Sequence, residues 1–109
     1  MNTNQLIIYF LSAYLIGAIP FGLLIAKFKG VDLRKVGSGN IGATNVVRSV
    51  GKPWGILTFA LDAFKGYSAV VILPLLFSEG APINMRLLAG VFAVLGHSAS
   101  LFIKFFDKF

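Results

Sequence analysis

Three apolar segments separated by polar ones dominate the chain, and this pattern predicts an all-α integral membrane protein. Residues 6–26 carry no charged side chain. At that length they can cross the roughly 30 Å hydrocarbon core of a bilayer as one helix. Residues 54–77 and 87–106 are the other two predicted transmembrane helices. We therefore expect residues 1–109 to form a single membrane domain with three spans.

The first predicted span contains residues that disturb a helix or let it pack closely. Gly17, Pro20 and Gly22 lie in its second half, where we expect a kink or a close approach to a neighbouring helix. A secretory signal peptide begins with basic side chains. The five residues before position 6 contain none. We therefore expect residues 6–26 to remain as a membrane span.

The second predicted span carries two opposite charges, Asp62 and Lys65. Its apolar residues favour insertion by roughly 5 kcal/mol in total, whereas each charge would cost about 2.5–3.5 kcal/mol at the bilayer centre. We therefore expect the charges to lie toward the cytoplasmic end or to face protein. Being three residues apart, they share a helix face and can pair. One interpretation of this predicted ion pair is structural, in that it lets a polar face of the helix pack against neighbouring helices. The alternative is that it supports an anion-binding site.

Residues 27–52 form a polar, basic loop between the first two spans. The loop has one acidic residue, Asp32, and these basic residues: Lys27, Lys29, Arg34, Lys35, Arg48 and Lys52. The positive-inside rule puts such a loop in the cytoplasm, which places the N-terminus outside and the C-terminus in the cytoplasm. The loop is long for a plain connection, which favours a functional role.

Composition narrows the classes of partner. The chain is 57% hydrophobic and 13% charged, unlike an ordinary soluble domain of this size. Its net charge of +6 is concentrated between apolar segments, which favours a lipid bilayer and anionic groups over nucleic acid. Cysteine is absent and His97 is the one histidine, so thiolate and multi-histidine metal sites are excluded. We expect neither a metal nor a cofactor.

The basic loop contains the run GSGNIGATNVVR at residues 37–48. Because glycine adopts positive φ and lets backbone N–H groups converge, Gly37, Gly39 and Gly42 can shape a nest for an anion. The alternative is an ordinary Gly/Ser/Asn loop between two apolar segments. The run is neither a Walker loop, since no Gly-Lys-Ser/Thr follows, nor a dinucleotide fingerprint.

A short helix is expected at the end of this run, continuing to about Val50. Ser38 or Asn40 is the predicted cap, and the first N–H groups of the helix would face an anion. The residues predicted to share one helix face are Ile41, Thr44 and Arg48. The guanidinium fork of Arg48 would then lie near the glycines. The pattern favours binding of a phosphate or a carboxylate beside a membrane.

The run GSGNIGATNVVRSVGK, followed by LDAFKG at residues 61–66, closely resembles the first motif region of the bacterial acyl-phosphate:glycerol-3-phosphate acyltransferases. The resemblance extends over residues 11–105. It implies a multi-pass protein of the bacterial plasma membrane that acts in phospholipid biosynthesis. The implied reaction transfers an acyl group from an acyl phosphate to the 1-hydroxyl of glycerol 3-phosphate, giving lysophosphatidic acid without a cofactor.

The resemblance also implies roles for individual residues. By motif position, Ser38 and Arg48 are similar to residues that bind the glycerol phosphate, and Gly39, Asn40 and Asn45 belong to the same loop. An arginine fork with backbone donors suits the task of orienting two anions. The family suggests that the substrate phosphate itself takes the hydroxyl proton. His97 is interpreted either as a hydrogen-bonded packing group or as a direct catalytic group.

The sequence departs from the family after His97. Similar family members continue with a proline three residues later and then a glycine- and lysine-rich phosphate loop, whereas this chain has Ser100 and ends KFFDKF. We therefore expect a chain truncated to about the N-terminal half, as a frameshift would leave it. Two alternatives to the enzyme follow. One is a non-catalytic membrane fragment that pairs with a separate remainder or another copy, and the other is a small anion-binding or transport component.

Overall fold

The computed structural model describes residues 1–100, and the regular secondary structure of this part of the chain is helical throughout. The α-helices are α1 (Thr3–Gly17), α2 (Phe21–Phe28), α3 (Ala43–Ser49), α4 (Lys52–Tyr67) and α5 (Ile83–Ser98). A 3₁₀ turn, Leu33–Lys35, lies between α2 and α3. Helix α4 continues into a π-helical turn, Ser68–Ile72, and then a 3₁₀ turn, Leu73–Leu76. The all-helical prediction is confirmed.

Two helical stretches are long and apolar enough to cross a membrane, Thr3–Phe28 and Lys52–Leu76. They coincide with the first two predicted spans. Helix α5 is apolar but shorter, with 16 residues. The end of the third predicted span and the polar side chains of Lys104, Asp107 and Lys108 lie outside the described residues, so the count of three spans stays a prediction.

The first stretch is interrupted rather than continuous. Helix α1 ends at Gly17 and α2 begins at Phe21. Pro20, between them, has no backbone N–H to donate to the carbonyl four residues earlier, and its ring clashes with that carbonyl. The disturbance expected in the second half of this span is therefore confirmed, as a break between two helices.

Among the described residues, the first of two compact units combines Met1–Ile19 with residues 64–100. Helices α1 and α5 meet in it through small or buried residues: Tyr9, Ala13 and Gly17 on α1, and Ala89, Ala93 and Gly96 on α5. A Cβ atom on Gly17 would collide with the backbone of Ala93, and one on Gly96 with the backbone carbonyl of Tyr14. The two helices therefore touch backbone to backbone, as small residues permit in membrane proteins.

The π-helical turn is held by two side chains from other helices of this unit. The hydroxyl of Tyr9 donates to the carbonyl of Ala69 at 2.6 Å, and Nε of Arg86 donates to the carbonyl of Val70 at 2.8 Å. A π turn disturbs the regular i→i−4 ladder of the helix. In an apolar environment the carbonyls affected need other donors, which these two side chains supply.

Arg86 lies in the first turn of helix α5, before the predicted third span, which begins at residue 87. Helix α5 begins at Ile83, after Pro82 in an extended conformation (φ −65°, ψ 156°). Proline is suited to the beginning of a helix, and arginine is a good helix former. The helix therefore starts before the apolar run does. The guanidinium of Arg86 donates a hydrogen bond to the carbonyl of Val70.

The second compact unit is Pro20–Ala63. Leu33 and Val46 are fully buried in it. A Cβ atom on Gly22 of α2 would collide with the carbonyl of Ile41, and one on Gly55 of α4 would collide with Val47. Helix α2 thus closely approaches the glycine-rich run at Ile41, and α4 approaches it at Val47 in α3.

Candidate functional site

The glycine-rich run forms a loop that leads into α3. The loop uses left-handed backbone at Gly37 (φ +54°) and Gly39 (φ +73°), a region that side chains with a Cβ rarely adopt. A side chain on Gly37 would also collide with Asn45 and crowd the hydroxyl of Ser49. Gly42 differs from the other two because its φ is −78°. Two of the three glycines therefore have left-handed backbone, and the anion nest stays a prediction.

The predicted capping of the short helix is wrong. Helix α3 runs from Ala43 to Ser49, and its N-cap is Gly42, with no side-chain hydrogen bond. The side chain of Asn40 is already used, because its Oδ1 accepts from Gly42 N at 2.9 Å. Ser38 Oγ likewise accepts from Asn40 N at 3.3 Å. Both are local turns that these residue types form in competition with capping.

Asn45 connects the loop to α3 through an almost completely buried amide, 2% exposed. Its Oδ1 accepts from the backbone N–H of Ser38 at 3.3 Å and from the hydroxyl of Ser49 at 3.1 Å. Its Nδ2 donates to the backbone carbonyls of Leu33 (3.1 Å), Val36 (3.1 Å) and Asn40 (2.7 Å). The donors and acceptors of this amide are therefore engaged within the chain. Such an arrangement suits a group that holds the loop in shape.

A pocket of ≈ 230 Å³ lies against this loop and the first turns of α3. Its lining residues are Ser38, Asn40, Gly42, Ala43, Thr44, Asn45 and Arg48. The fold thus brings most of the predicted binding residues around one cavity. Gly39 belongs to the same loop, and its N–H donates to the carbonyl of Val36 at 2.9 Å.

Arg48 supplies the positive charge of this pocket. It is exposed and lies one helical turn after Thr44, so both side chains reach the pocket from the same face of α3. Arg34 differs, because its Nε lies 3.2 Å from Oδ1 of Asp32. The hydrogen bond from the side chain of Arg34 holds the pKa of Asp32 below its usual range. Arg48, and not Arg34, is among the residues that line the cavity.

The remaining predicted residues lie on α4 and α5. Asp62 and Lys65 are three residues apart on α4, as expected, and their ion pair stays a prediction. Lys65 is buried, and its Nζ donates to the carbonyl of Ile19 at 3.0 Å and lies 2.8 Å from Nδ1 of His97. Ser100, three residues after His97, is buried, and its hydroxyl donates to the carbonyl of Ala18.

The contact between Lys65 and His97 was not predicted from the sequence. The two residues are 32 positions apart, and their one shared signal is that each is a polar side chain in an apolar segment. Ser49 was also missed as a partner of Asn45, since a serine in a short helix carries no distinctive signal. Within residues 1–100, no three histidine or acidic side chains come together as a metal-binding group.

Comparison with known proteins places this loop in a family context. The profile of the family described as "Glycerol-3-phosphate acyltransferase" matches residues 7–106. The chain is similar to a protein of that name from Thermosipho melanesiensis, with 51% identity over 92 residues, covering 84% of this chain and 44% of the relative. It is also similar to the one from Aquifex aeolicus, with 50% identity over 93 residues, covering 85% and 47%. The chain spans about half the length of the curated relatives it matches.

Two crystal structures are also similar to this chain, both of PlsY (YgiH), an integral membrane glycerol 3-phosphate acyltransferase. The glycerol 3-phosphate form matches with a TM-score of 0.77 and 45% identity, covering 89% of this chain and 48% of that one. The lysophosphatidic acid form matches with a TM-score of 0.75 and 42% identity, covering 89% and 46%. Sequence profile, relatives and fold agree: the chain belongs to the glycerol-3-phosphate acyltransferase family.

Proposed function

We propose that this chain takes part in acyl transfer from an acyl phosphate to the 1-hydroxyl of glycerol 3-phosphate, which yields lysophosphatidic acid for phospholipid synthesis. The observation that carries the proposal is the pocket lined by Ser38, Asn40 and Arg48, in which Arg48 is an exposed residue. Its size and charge suit a small phosphate monoester. The relatives named above are glycerol-3-phosphate acyltransferases, which supports this choice of substrate.

The proposed reaction requires little covalent chemistry from the protein. The 1-hydroxyl oxygen forms an ester bond with the acyl carbon, the bond between that carbon and the phosphate oxygen breaks, and the hydroxyl proton goes to the departing phosphate. Because phosphate is already a good leaving group, the protein mainly orients two anions and stabilises developing charge. Arg48 would hold two phosphate oxygens with its fork, and the Ser38 hydroxyl would add one hydrogen bond.

The proposed setting is the bacterial plasma membrane, with three spans at about residues 6–26, 54–77 and 87–106. The N-terminus lies outside and the C-terminus in the cytoplasm, so the basic loop at residues 27–52 faces the cytoplasm. The basic side chains of that loop support this orientation. The pocket would then lie at the inner surface, where a soluble phosphate ester and a membrane-bound acyl phosphate can meet.

The Arg48→Ala variant tests the proposed site. Purified chain in lipid nanodiscs is titrated with glycerol 3-phosphate by calorimetry, and acyl transfer from palmitoyl phosphate is measured in membranes containing the chain. A charge-assisted hydrogen bond is worth about 1.5–3 kcal/mol, so we expect at least about tenfold weaker binding in the variant. Arg48→Lys should recover part of it, because lysine keeps the charge without the fork.

The matched control is Lys35→Ala, which removes a cation of the same loop whose side chain is 81% exposed. Its affinity for glycerol 3-phosphate should equal that of the wild type. Equal loss in both variants would mean that general loop charge, and not the pocket, attracts the ligand. Binding without product would point to the anion-binding or non-catalytic alternative, and no binding at all would contradict the proposal.

A further inference from the structure

A buried lysine of α4 contacts the one histidine of the chain. Lys65 is 4% exposed. Its Nζ lies 3.0 Å from the carbonyl oxygen of Ile19 and 2.8 Å from Nδ1 of His97, and all three residues belong to the same compact unit. Removing a cation from water in an apolar segment is costly unless hydrogen bonds compensate for it. The two contacts compensate for part of this cost.

The chemistry of the contact decides the state of the imidazole. A lysine ammonium has three N–H donors and no acceptor, so an ammonium at Lys65 pairs with Nδ1 of His97 when that nitrogen accepts the hydrogen bond with its lone pair. The proton of the neutral ring is then on Nε2. An imidazolium would instead set an N–H of the ring against the N–H groups of the ammonium, which is repulsive in both charge and geometry.

The position of His97 gives this state a consequence. The residue lies in the last turn of α5 and is exposed, whereas the nitrogen that faces inward is occupied by Lys65. The ammonium is in turn held by the carbonyl of Ile19, which lies at the break between α1 and α2. The ring therefore has one edge fixed by Lys65, and its Nε2 edge carries the proton.

We propose that Lys65 is a positioning residue that holds His97 as the neutral Nε2–H tautomer, so that the exposed edge of the ring acts as a hydrogen-bond donor and not as a base. Both nitrogens are then unsuited to accept a proton: Nδ1 already accepts from Lys65, and Nε2 already carries a hydrogen. The inference is independent of the proposed acyl transfer, because it concerns the state of the side chain and not turnover.

The test is nitrogen NMR of the full chain in nanodiscs at neutral pH, after labelling with ¹⁵N-histidine. Because the sequence contains one histidine, a purification tag without histidine leaves a single imidazole to observe. We expect the two-bond correlation pattern of the Nε2–H tautomer, with the Nδ1 resonance displaced from that of a free acceptor nitrogen. In Lys65→Met that displacement should be lost, and the Nδ1–H tautomer should become populated.

Two further variants make the result specific. Lys65→Arg keeps an N–H donor and should restore the wild-type pattern, which a purely steric role of the side chain does not explain. Lys29→Met removes an exposed lysine of the other compact unit and should leave the imidazole unchanged. If Lys65→Met fails to fold, the wild type and Lys65→Arg still decide. An Nδ1–H ring or an imidazolium in the wild type, or an Nδ1 resonance that Lys65→Met does not move, overturns the proposal.

Discussion

At Asn45 a single buried amide binds three backbone carbonyls that lie outside regular helices or at their edges. Its carbonyl oxygen also accepts from the N–H of Ser38, a residue that lines the pocket. The position of Ser38 therefore depends on a side chain seven residues away. This dependence links the shape of the site to the stability of the loop, so both should change together when the amide is altered.

Replacing Asn45 should destabilise the folded conformation of the loop. Asn45→Ala leaves buried carbonyls without donors, and each such group costs about 1–3 kcal/mol. Asn45→Asp should be worse, because a carboxylate sets negative charge against those carbonyls. We expect a lower melting temperature for both variants, together with faster trypsin cleavage after Arg34 and Lys35.

The control for this experiment is Asn4→Ala, which truncates an exposed asparagine in the first turn of α1. Its melting temperature and cleavage rate should match those of the wild type. If Asn45→Ala also matched the wild type in both measurements, the amide would not be what holds the loop.

At the residue scale, the loop could be predicted from the sequence, but the different roles of its residues could not. The family resemblance and the glycine spacing identified Ser38, Asn40, Asn45 and Arg48, which line one pocket. The sequence does not distinguish the buried Asn45 from the exposed Asn40, because both are asparagines in a polar run. The difference arises from carbonyls at residues 33 and 36, whose position depends on the folded 3₁₀ turn.

Among the elements, the packing of α1 against α5 depends on the size of individual side chains. A methyl group at Gly96 would collide with the backbone of Tyr14 and Ala18, which no side-chain movement can relieve. The helices would have to separate, and overpacking of this kind typically costs about 1–3 kcal/mol. We therefore expect Gly96→Ala to lower the melting temperature of the purified protein by several degrees.

Gly66→Ala provides the matched control on α4, because a Cβ atom there would meet nothing within 4 Å. The same substitution should leave the melting temperature unchanged or raise it slightly, since alanine favours a helix over glycine by about 1 kcal/mol. Equal melting temperatures for the two variants would show that α1 and α5 have room between them.

The elements themselves were largely predictable, and their irregularities were not. Long, mainly apolar runs located Thr3–Phe28 and Lys52–Leu76, because hydropathy over about 20 residues is a strong signal. Pro20 predicted the break in the first stretch, because proline has no backbone N–H to donate. The π-helical turn and the early start of α5 at Ile83 depend on contacts between helices, which leave no periodic trace in the sequence.

For the whole molecule, the distribution of charge leads to a topology that labelling can test. The chain has no cysteine, so single cysteines can be introduced without further changes. We expect Lys35→Cys to react with a membrane-impermeant maleimide only in inside-out vesicles, and Glu79→Cys to react in intact cells. Both positions are exposed, so access is limited by the membrane and not by burial.

The unaltered chain serves as the blank for this labelling, since it offers no thiol. Labelling of Lys35→Cys in intact cells, with Glu79→Cys protected, would reverse the proposed orientation. Labelling of both from one side would instead require an even number of crossings between positions 35 and 79. Either result would move the pocket to a different compartment and change which phosphate esters can reach it.

The π-helical turn at Ser68–Ile72 also affects how this segment can be compared among proteins. One additional residue in a helical turn rotates everything after it by about 100° about the axis. A helical wheel drawn through residues 54–77 with one constant angle therefore assigns the wrong faces to the residues beyond the turn. A one-residue deletion there would shorten the chain little, yet it would shift the phase of the segment and withdraw Ala69 and Val70 from Tyr9 and Arg86.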